Sequence, residues 1–223
     1  MSNEPVWDEA AREELRDTLR SMIVGELRLA RRGHDDILTG CHEAYVQDVC
    51  PQPEWDEFMR FAADELKQAA ARLASEKSAW PAETDCDRLD RVEGALRARG
   101  IVFWQASPCC DTCTLGELGD RIHVIDRRSP GFRQRVRGYS FFIEQTLPES
   151  LAEATELSVY LAYGWLSPNH SQVAQDVYKP KALGIADEVC QCLRKEGFEP
   201  RWDGNLANKI AMSLNWQRRT MLE

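Results

Sequence analysis

Apolar residues in the first third of the chain recur at helical spacing. Over residues 8–31 they fall every three or four positions, which places them on one stripe of a helix. A second helix is expected from the aspartates after Gly33 to about Val49, and a third from Pro53 to about Lys77. Proline suits the first turn of a helix, and glycine commonly ends one. This stretch therefore predicts three helices joined by short loops.

The pattern changes after the Ser-Ala-Trp-Pro run at residues 78–81, where helices begin to alternate with strands. Thr84 and Asp87 have the spacing of a capping box, and Gly100 is expected to end the helix that they start. Two further helices are expected over 148–155 and 181–196. Strand-like segments, rich in β-branched and aromatic residues, occur at 101–105, 138–145, 157–164, 198–202 and 209–216.

These elements predict a fold of the α+β or α/β class with two domains. In this prediction, residues 1–79 form a helical N-terminal domain. Residues 80–223 form an α/β layer domain with a mixed sheet of about five strands.

Charge narrows the range of partners. The chain has 28 Lys and Arg against 37 Asp and Glu, a net charge of −9. Proteins that bind nucleic acid through phosphates need dense positive charge, so a nucleic-acid partner is not expected. The excess is concentrated in residues 1–80, which hold 17 acidic and 10 basic residues. We therefore expect a protein partner with a basic surface to bind this acidic region.

The chain shows no sign of export or membrane insertion. No stretch approaches the roughly 18 consecutive apolar residues that a membrane span requires, and the first residues are polar and acidic. A cytoplasmic location is expected. The eight cysteines are then expected as free thiols in a reducing compartment rather than as disulfides.

The sharpest chemical signal is the run Cys109-Cys110-x-x-Cys113, which lies just after the first predicted strand and before a short predicted helix. The CxxC spacing allows two thiolates to converge on one Zn²⁺, and Cys109 is close enough in sequence to contribute. A structural zinc site has four ligands, so a zinc site here needs at least one more. The remaining candidates are His123, His170, Cys86, Cys190 and Cys192.

Two other interpretations of these cysteines stay open. The order strand, CxxC, helix is typical of thiol–disulfide proteins, in which a helix N-terminus lowers the pKa of a cysteine. Alternatively, the small polarisable side chains fill a tight turn and have no chemical role. The sequence does not decide among metal, redox and packing roles.

A second group of candidate ligand-binding residues lies on the later strands. Glu144 and Gln145 end an otherwise apolar strand and could line a pocket, or could mark where the strand meets water. Tyr163 and Trp202 are aromatic candidates on two further predicted strands, where core packing is the usual role of such residues. The chain has no glycine-rich phosphate loop, no GxSxG motif and no HExxH motif.

Several short motifs follow one another from residue 80 to residue 219. They are Trp-Pro at 80–81, Thr-Asp-Cys-Asp-Arg-Leu at 84–89, CCxxC at 109–113, GYxFFxxQ at 138–145, LxxYLAYG at 157–164, Trp-Asp-Gly at 202–204 and Asn-Trp-Gln-Arg-Arg at 215–219. In these motifs the chain, from about Trp80 to the C-terminus, resembles a bacterial family of uncharacterised proteins, a domain of unknown function. The resemblance implies a bacterial origin and an intracellular setting, and it brings no known reaction.

Two functional hypotheses follow, and they differ in whether the protein is an enzyme. The first is a non-catalytic binding or interaction module that uses the acidic N-terminal region. The alternative is a zinc- or thiol-dependent enzyme that uses Cys109, Cys110 and Cys113.

Overall fold

A computed structural model describes residues 7–167 and 173–222. The chain forms nine α-helices and four strands within these ranges, which confirms a mixed fold of helices and sheet. The helices are α1 (Glu9–Leu29), α2 (His34–Cys41), α3 (Gln47–Val49), α4 (Trp55–Ala79), α5 (Asp85–Ala98), α6 (Asp111–Arg128), α7 (Phe132–Arg135), α8 (Leu147–Glu153) and α9 (Gln175–Lys195). The strands are β1 (Ile101–Ser107), β2 (Gly138–Ile143), β3 (Glu156–Trp165) and β4 (Ile210–Asn215).

Local signals set the bounds of α5, as the sequence predicts. Thr84 Oγ1 accepts a hydrogen bond from the Asp87 backbone N–H (3.2 Å), and Asp87 Oδ2 accepts one from the Thr84 N–H (2.7 Å). After α5, Gly100 takes a left-handed conformation with φ of +75°. A Cβ at Gly100 would overlap the Arg135 carbonyl oxygen, so this stop needs glycine for space as well as for backbone conformation.

The four strands form one mixed sheet in the order β1-β2-β3-β4. β1 and β2 run parallel, and the other two pairs are antiparallel. The prediction of a fifth strand at 198–202 is wrong, because in the described part of the chain only Arg201 pairs there, in a single bridge with Ala211. Pro200 has no N–H to give to a ladder, and the Phe198 ring packs under the Arg88 guanidinium at 4.9 Å instead.

Helices cover both faces of this sheet. On one face, Val102, Trp104 and Phe141 pack against α6. That helix has 18 residues, whereas the sequence predicted only a short one after the cysteines. On the opposite face, a Cβ at Gly138 of β2 would collide with Ile185 of α9, so the two elements approach closely. α5 packs against β1 and α9.

Contacts divide the chain into two compact units. The helical unit is drawn from Met1–Ala82, Thr146–Thr155 and Trp216–Glu223, and the α/β unit from Glu83–Gln145 and Glu156–Asn215. The division into domains at residues 79 and 80 stays a prediction. No helix in the described ranges combines the length and apolar character needed to span a bilayer.

The helical unit has its own core, with α1 and α4 contributing the faces that the periodicity predicts. Leu15, Leu19 and Ile23 of α1 are buried together with Phe58 and Leu66 of α4. Between α2 and α3 the chain makes one π-helical turn, His42–Val46, and a short 3₁₀ turn, Gln52–Glu54, leads into α4. α8 packs against α1 in the same unit.

The α1–α8 contact predicts an unusual response to a glycine substitution. Alanine normally stabilises a helix interior by about 1 kcal/mol over glycine. At Gly25, however, a Cβ would overlap the Pro148 carbonyl oxygen. We expect Gly25→Ala to lower the free energy of unfolding by about 1–3 kcal/mol, as overpacking does.

The matched control is Gly40→Ala in α2, where a Cβ meets nothing within 4 Å. This variant should raise the free energy of unfolding by about 0.5–1 kcal/mol. Urea denaturation of both variants measures the difference, and a change of the same sign at both positions would contradict the close α1–α8 contact.

Candidate functional site

The turn between β1 and α6 has an irregular backbone. The register between β1 and β2 shifts between Trp104 and Ser107, so the pairing of the two strands is irregular at the end of β1. Ala106 (φ +45°) and Cys109 (φ +59°) are both in the left-handed region. Residues with a Cβ are held there at a cost of roughly 1–2 kcal/mol each. The surrounding structure must therefore hold this turn in place.

Two buried hydroxyl groups hold it. Thr114 Oγ1, in the first turn of α6, donates to Ser107 Oγ at 3.0 Å, and Ser107 Oγ donates to the Phe142 carbonyl oxygen at 3.2 Å. Both side chains are fully buried. The Ser107 carbonyl also accepts a hydrogen bond from the Glu144 N–H (2.8 Å). The cysteine loop is thus tied to the end of β2 and to the start of α6.

Cys110 is the N-cap of α6. Its Sγ accepts a hydrogen bond from the Cys113 backbone N–H at 3.5 Å and lies 3.4 Å from Cys113 Sγ. The hydrogen bond from the Cys113 N–H lowers the pKa of Cys110 below the ordinary 9.0. The pKa of Cys113 is raised to about 11, chiefly because its sulfur is hydrogen-bonded to that of Cys110. The two thiols therefore differ in how readily they ionise.

The third sulfur joins this pair. The Sγ atoms of Cys109, Cys110 and Cys113 all lie within 4.8 Å of one another. Cys109 and Cys113 are exposed, and Cys110 is half-buried. Exposed sulfurs gain little from packing, so burial does not explain this cluster. Within the described ranges, it is the one group of three or more His, Cys, Asp or Glu side chains spaced to hold a metal ion.

The other predicted metal ligands lie elsewhere. His123 is exposed on α6, ten residues after Cys113, a rise of about 15 Å along the helix. Cys86 is buried in α5, and Cys190 and Cys192 are buried in α9. His170 lies outside the described residues. Of the described candidates, then, the structure brings together only the three cysteines of the CCxxC run.

One ion pair lies at the same end of α6. Lys209 Nζ, just before β4, is 2.6 Å from Oδ2 and 2.9 Å from Oδ1 of Asp111. Asp111 is the first residue of α6, directly after Cys110, so this pair links the start of the helix to the start of the last strand. Lys209, Ser107 and Thr114 were not among the residues predicted from the sequence to have a role at the site. For Ser107 and Thr114, the one sequence feature that could have indicated a role is that these small hydroxyl residues lie on either side of the cysteine run.

The candidate ligand-binding residues form two separate pairs. Glu144 is half-buried beside the cysteine loop through its backbone bond to Ser107, and Gln145 next to it is exposed. Tyr163 and Trp202 contact each other with ring centroids 5.5 Å apart.

Tyr163 and Trp202 also share a hydrogen-bond acceptor. Tyr163 Oη and Trp202 Nε1 lie 3.1 Å and 3.3 Å from the Asn205 carbonyl oxygen. In this structure the two aromatic side chains therefore hold the turn that precedes β4.

Most of the chain matches the model of one protein family. A family model described as Domain of unknown function (DUF6891) matches residues 12–220. The match starts in α1, so the shared pattern extends well beyond the region from Trp80 that the motifs indicated. No curated protein and no solved structure matches the chain.

The ionisation of the two CxxC thiols predicts their order of alkylation. The thiolate is the reactive form, so iodoacetamide should modify Cys110 at a rate that is half-maximal below pH 9.0, whereas Cys113 should need a pH near 11. Peptide mass spectrometry over a pH series, on reduced protein freed of metal by a chelator, measures both rates. In Cys110→Ala the sulfur that raises the pKa of Cys113 is gone, so Cys113 should react at lower pH. Faster labelling of Cys113 than of Cys110 in the unaltered chain would contradict this assignment.

Proposed function

Since this chain belongs to the family Domain of unknown function (DUF6891), whose description assigns no reaction, we propose a function from the site itself: Cys109, Cys110 and Cys113 bind one Zn²⁺ through their thiolates. The convergence of three sulfurs carries this proposal, because a redox dithiol needs only two. Cys109 adopts a left-handed backbone conformation, and its sulfur joins the cluster there. Strained backbone of this kind is often retained at functional sites.

The spacing of the sulfurs supports a single metal ion. Zinc–sulfur bonds of about 2.3 Å in a tetrahedron place the sulfurs about 3.8 Å apart. In the structure Cys110 and Cys113 have sulfurs 3.4 Å apart, and all three sulfurs lie within 4.8 Å. These separations are close to the spacing that one shared Zn²⁺ requires.

Three protein ligands leave one coordination position for an exchangeable ligand, such as water or a donor atom of a substrate. This arrangement is typical of catalytic zinc, whereas structural zinc usually has four protein ligands. The site also lies at the N-terminus of α6, where the helix dipole favours thiolates. A zinc ion held there would supply Lewis-acid chemistry. These features favour a zinc-dependent enzyme over a non-catalytic module at this site.

One observation favours a second candidate function, thiol–disulfide exchange. Cys110 and Cys113 are close, and their pKa values shift in opposite directions, as suits an attacking and a resolving thiol. In this reaction the Cys110 thiolate attacks a substrate disulfide and releases one substrate thiolate. Cys113 then attacks Cys110 Sγ, releases the second substrate thiolate and leaves a Cys110–Cys113 disulfide. The substrate is reduced and the protein dithiol is oxidised.

Both candidate functions require reduced cysteines. All eight cysteines are free in the structure. This supports, as part of the proposal, a location in a reducing compartment such as the cytoplasm.

Zinc content and a single substitution test the metal proposal. Elemental analysis of the full chain, purified without chelators, should find about one zinc per chain, and less than about 0.2 would overturn it. Competition with a chromogenic chelator should show that Cys109→Ser weakens zinc binding more than about 100-fold, beyond the usual effect of outer-shell changes. The control is Cys50→Ser. The Cys50 thiol is buried and contacts the Pro51 carbonyl oxygen, and a serine hydroxyl can make the same contact. This variant should leave the affinity unchanged.

The same variant separates the two functions. If the site is a dithiol, the chain holds no zinc, and Cys109→Ser keeps both the Cys110–Cys113 disulfide and its reduction potential in a glutathione titration. If it is a zinc site, the unaltered chain loses stoichiometric zinc on oxidation. His170→Ala should not change zinc affinity, and a loss comparable to that of Cys109→Ser would show that the fourth position is not open.

A further inference from the structure

A groove in the helical unit lies between α1 and the π-helical turn His42–Val46. Its first part is a depression of about 300 Å³ whose walls are mostly apolar. Trp7 and Leu15 line one side, and Ala44, Tyr45 and Val49 line the other. Val49 is 56% exposed, unusually high for a valine next to a core. π-Helical turns occur frequently at functional sites.

The groove continues along α1. A second depression, of about 390 Å³, shares Thr18 and Tyr45 with the first and reaches Met22. Ala11, Leu15, Thr18 and Met22 follow one another at steps of three and four residues, so they form one stripe of the helix. The stripe is about 17 Å long, or three helical turns.

Acidic side chains surround this apolar stripe. Glu14 and Asp48 line the first depression, and Asp17 and Glu149 line the second, while neither is lined by any Lys or Arg of the described residues. Asp17 is paired with Arg20. None of the ion pairs in the described part of the chain involves the other three carboxylates. The groove therefore combines apolar walls with uncompensated negative charge.

Among the ion pairs of the described residues, Arg20 with Asp17 is the one between an α1 arginine and a groove carboxylate. Arg16 and Arg20 also lie against aromatic rings of α4. The Arg16 guanidinium lies 5.6 Å from the ring centroid of Phe58, and that of Arg20 lies 5.1 Å from the ring centroid of Phe61. Three of the four groove carboxylates, those of Glu14, Asp48 and Glu149, thus stay outside the ion pairs of the described residues.

We infer that this groove binds a basic amphipathic helix of a protein partner. The apolar face of such a helix enters the groove at helical spacing, and its Lys and Arg side chains reach the surrounding carboxylates. Three turns of helix match the length of the stripe. The groove charge repels anionic lipid and acidic proteins, and attraction to a basic helix speeds association and selects the partner. The inference is independent of the cysteine site, which lies in the other unit.

A synthetic peptide tests this directly. The probe is a fluorescein-labelled 18-residue helix with leucine on one face and lysine on the other, titrated with the full chain and followed by anisotropy at low salt. We expect saturable one-site binding. The double variant Glu14→Lys and Asp48→Lys should weaken binding at least about tenfold, because it places like charges against the peptide.

The control double variant is Asp35→Lys and Asp64→Lys, which alters the net charge equally at exposed positions outside the groove. It should bind within about twofold of the unaltered chain. A peptide of the same composition in scrambled order should bind at least tenfold more weakly.

Three outcomes overturn the inference. Equal effects of the two double variants indicate attraction by net charge alone. Equal binding of the scrambled peptide shows that no apolar groove is used. Self-association of the unaltered chain, abolished by Glu14→Lys and Asp48→Lys without any peptide binding, makes a second copy the occupant.

Discussion

The hydrogen-bonded hydroxyls of Thr114 and Ser107 hold the turn on which the cysteine site depends. A buried hydroxyl without a hydrogen-bond partner costs free energy. Here the Thr114 hydroxyl donates to that of Ser107, which in turn donates to the Phe142 carbonyl oxygen. The same turn contains Ala106 and Cys109, whose left-handed backbone conformation is unfavourable by itself. The hydrogen bonds offset part of this cost. The sulfurs converge because the chain at both ends of the turn is fixed in β1 and α6, and the chemistry of the site rests on that fixed turn.

The helical unit shows that net charge is a poor description of a surface. Several acids of α1 are paired with arginines of the same helix, such as Glu13 with Arg16 and Arg20, and the pKa of Glu13 is lowered by those hydrogen bonds. Exposed pairs of this kind contribute little to stability. Their effect is on where the charge lies: most acids of α1 that face its arginines are paired, whereas Glu14, Asp48 and Glu149 of the groove are in none of the ion pairs of the described residues.

Periodicity and capping predicted most elements correctly, and the errors have physical causes. α6 was underestimated because Gly116 and Gly119 lower helix propensity, yet Leu118, Ile122 and Ile125 bury one face against the sheet and stabilise the full length. The segment 198–202 has the aromatic content of a strand, but Pro200 cannot donate to a ladder. The CCxxC run was identified from spacing alone. The hydrogen bond from Ser107 to the Phe142 carbonyl and the ion pair of Asp111 with Lys209 depend on residues distant in sequence.

Features that depend on neighbours within about four residues were predictable from the amino-acid pattern: helix faces, the Thr84 capping box, the glycine stop at Gly100 and the candidate cysteines. Which distant segments satisfy each other's buried groups depends on how the whole chain packs. Trp216 is an example, since its indole N–H is bonded to the Arg28 carbonyl, 188 residues away. A local pattern shows that a tryptophan needs burial and a hydrogen-bond acceptor, but only the packed chain provides the particular carbonyl. For the same reason it is packing that brings three sulfurs together and leaves a groove on α1.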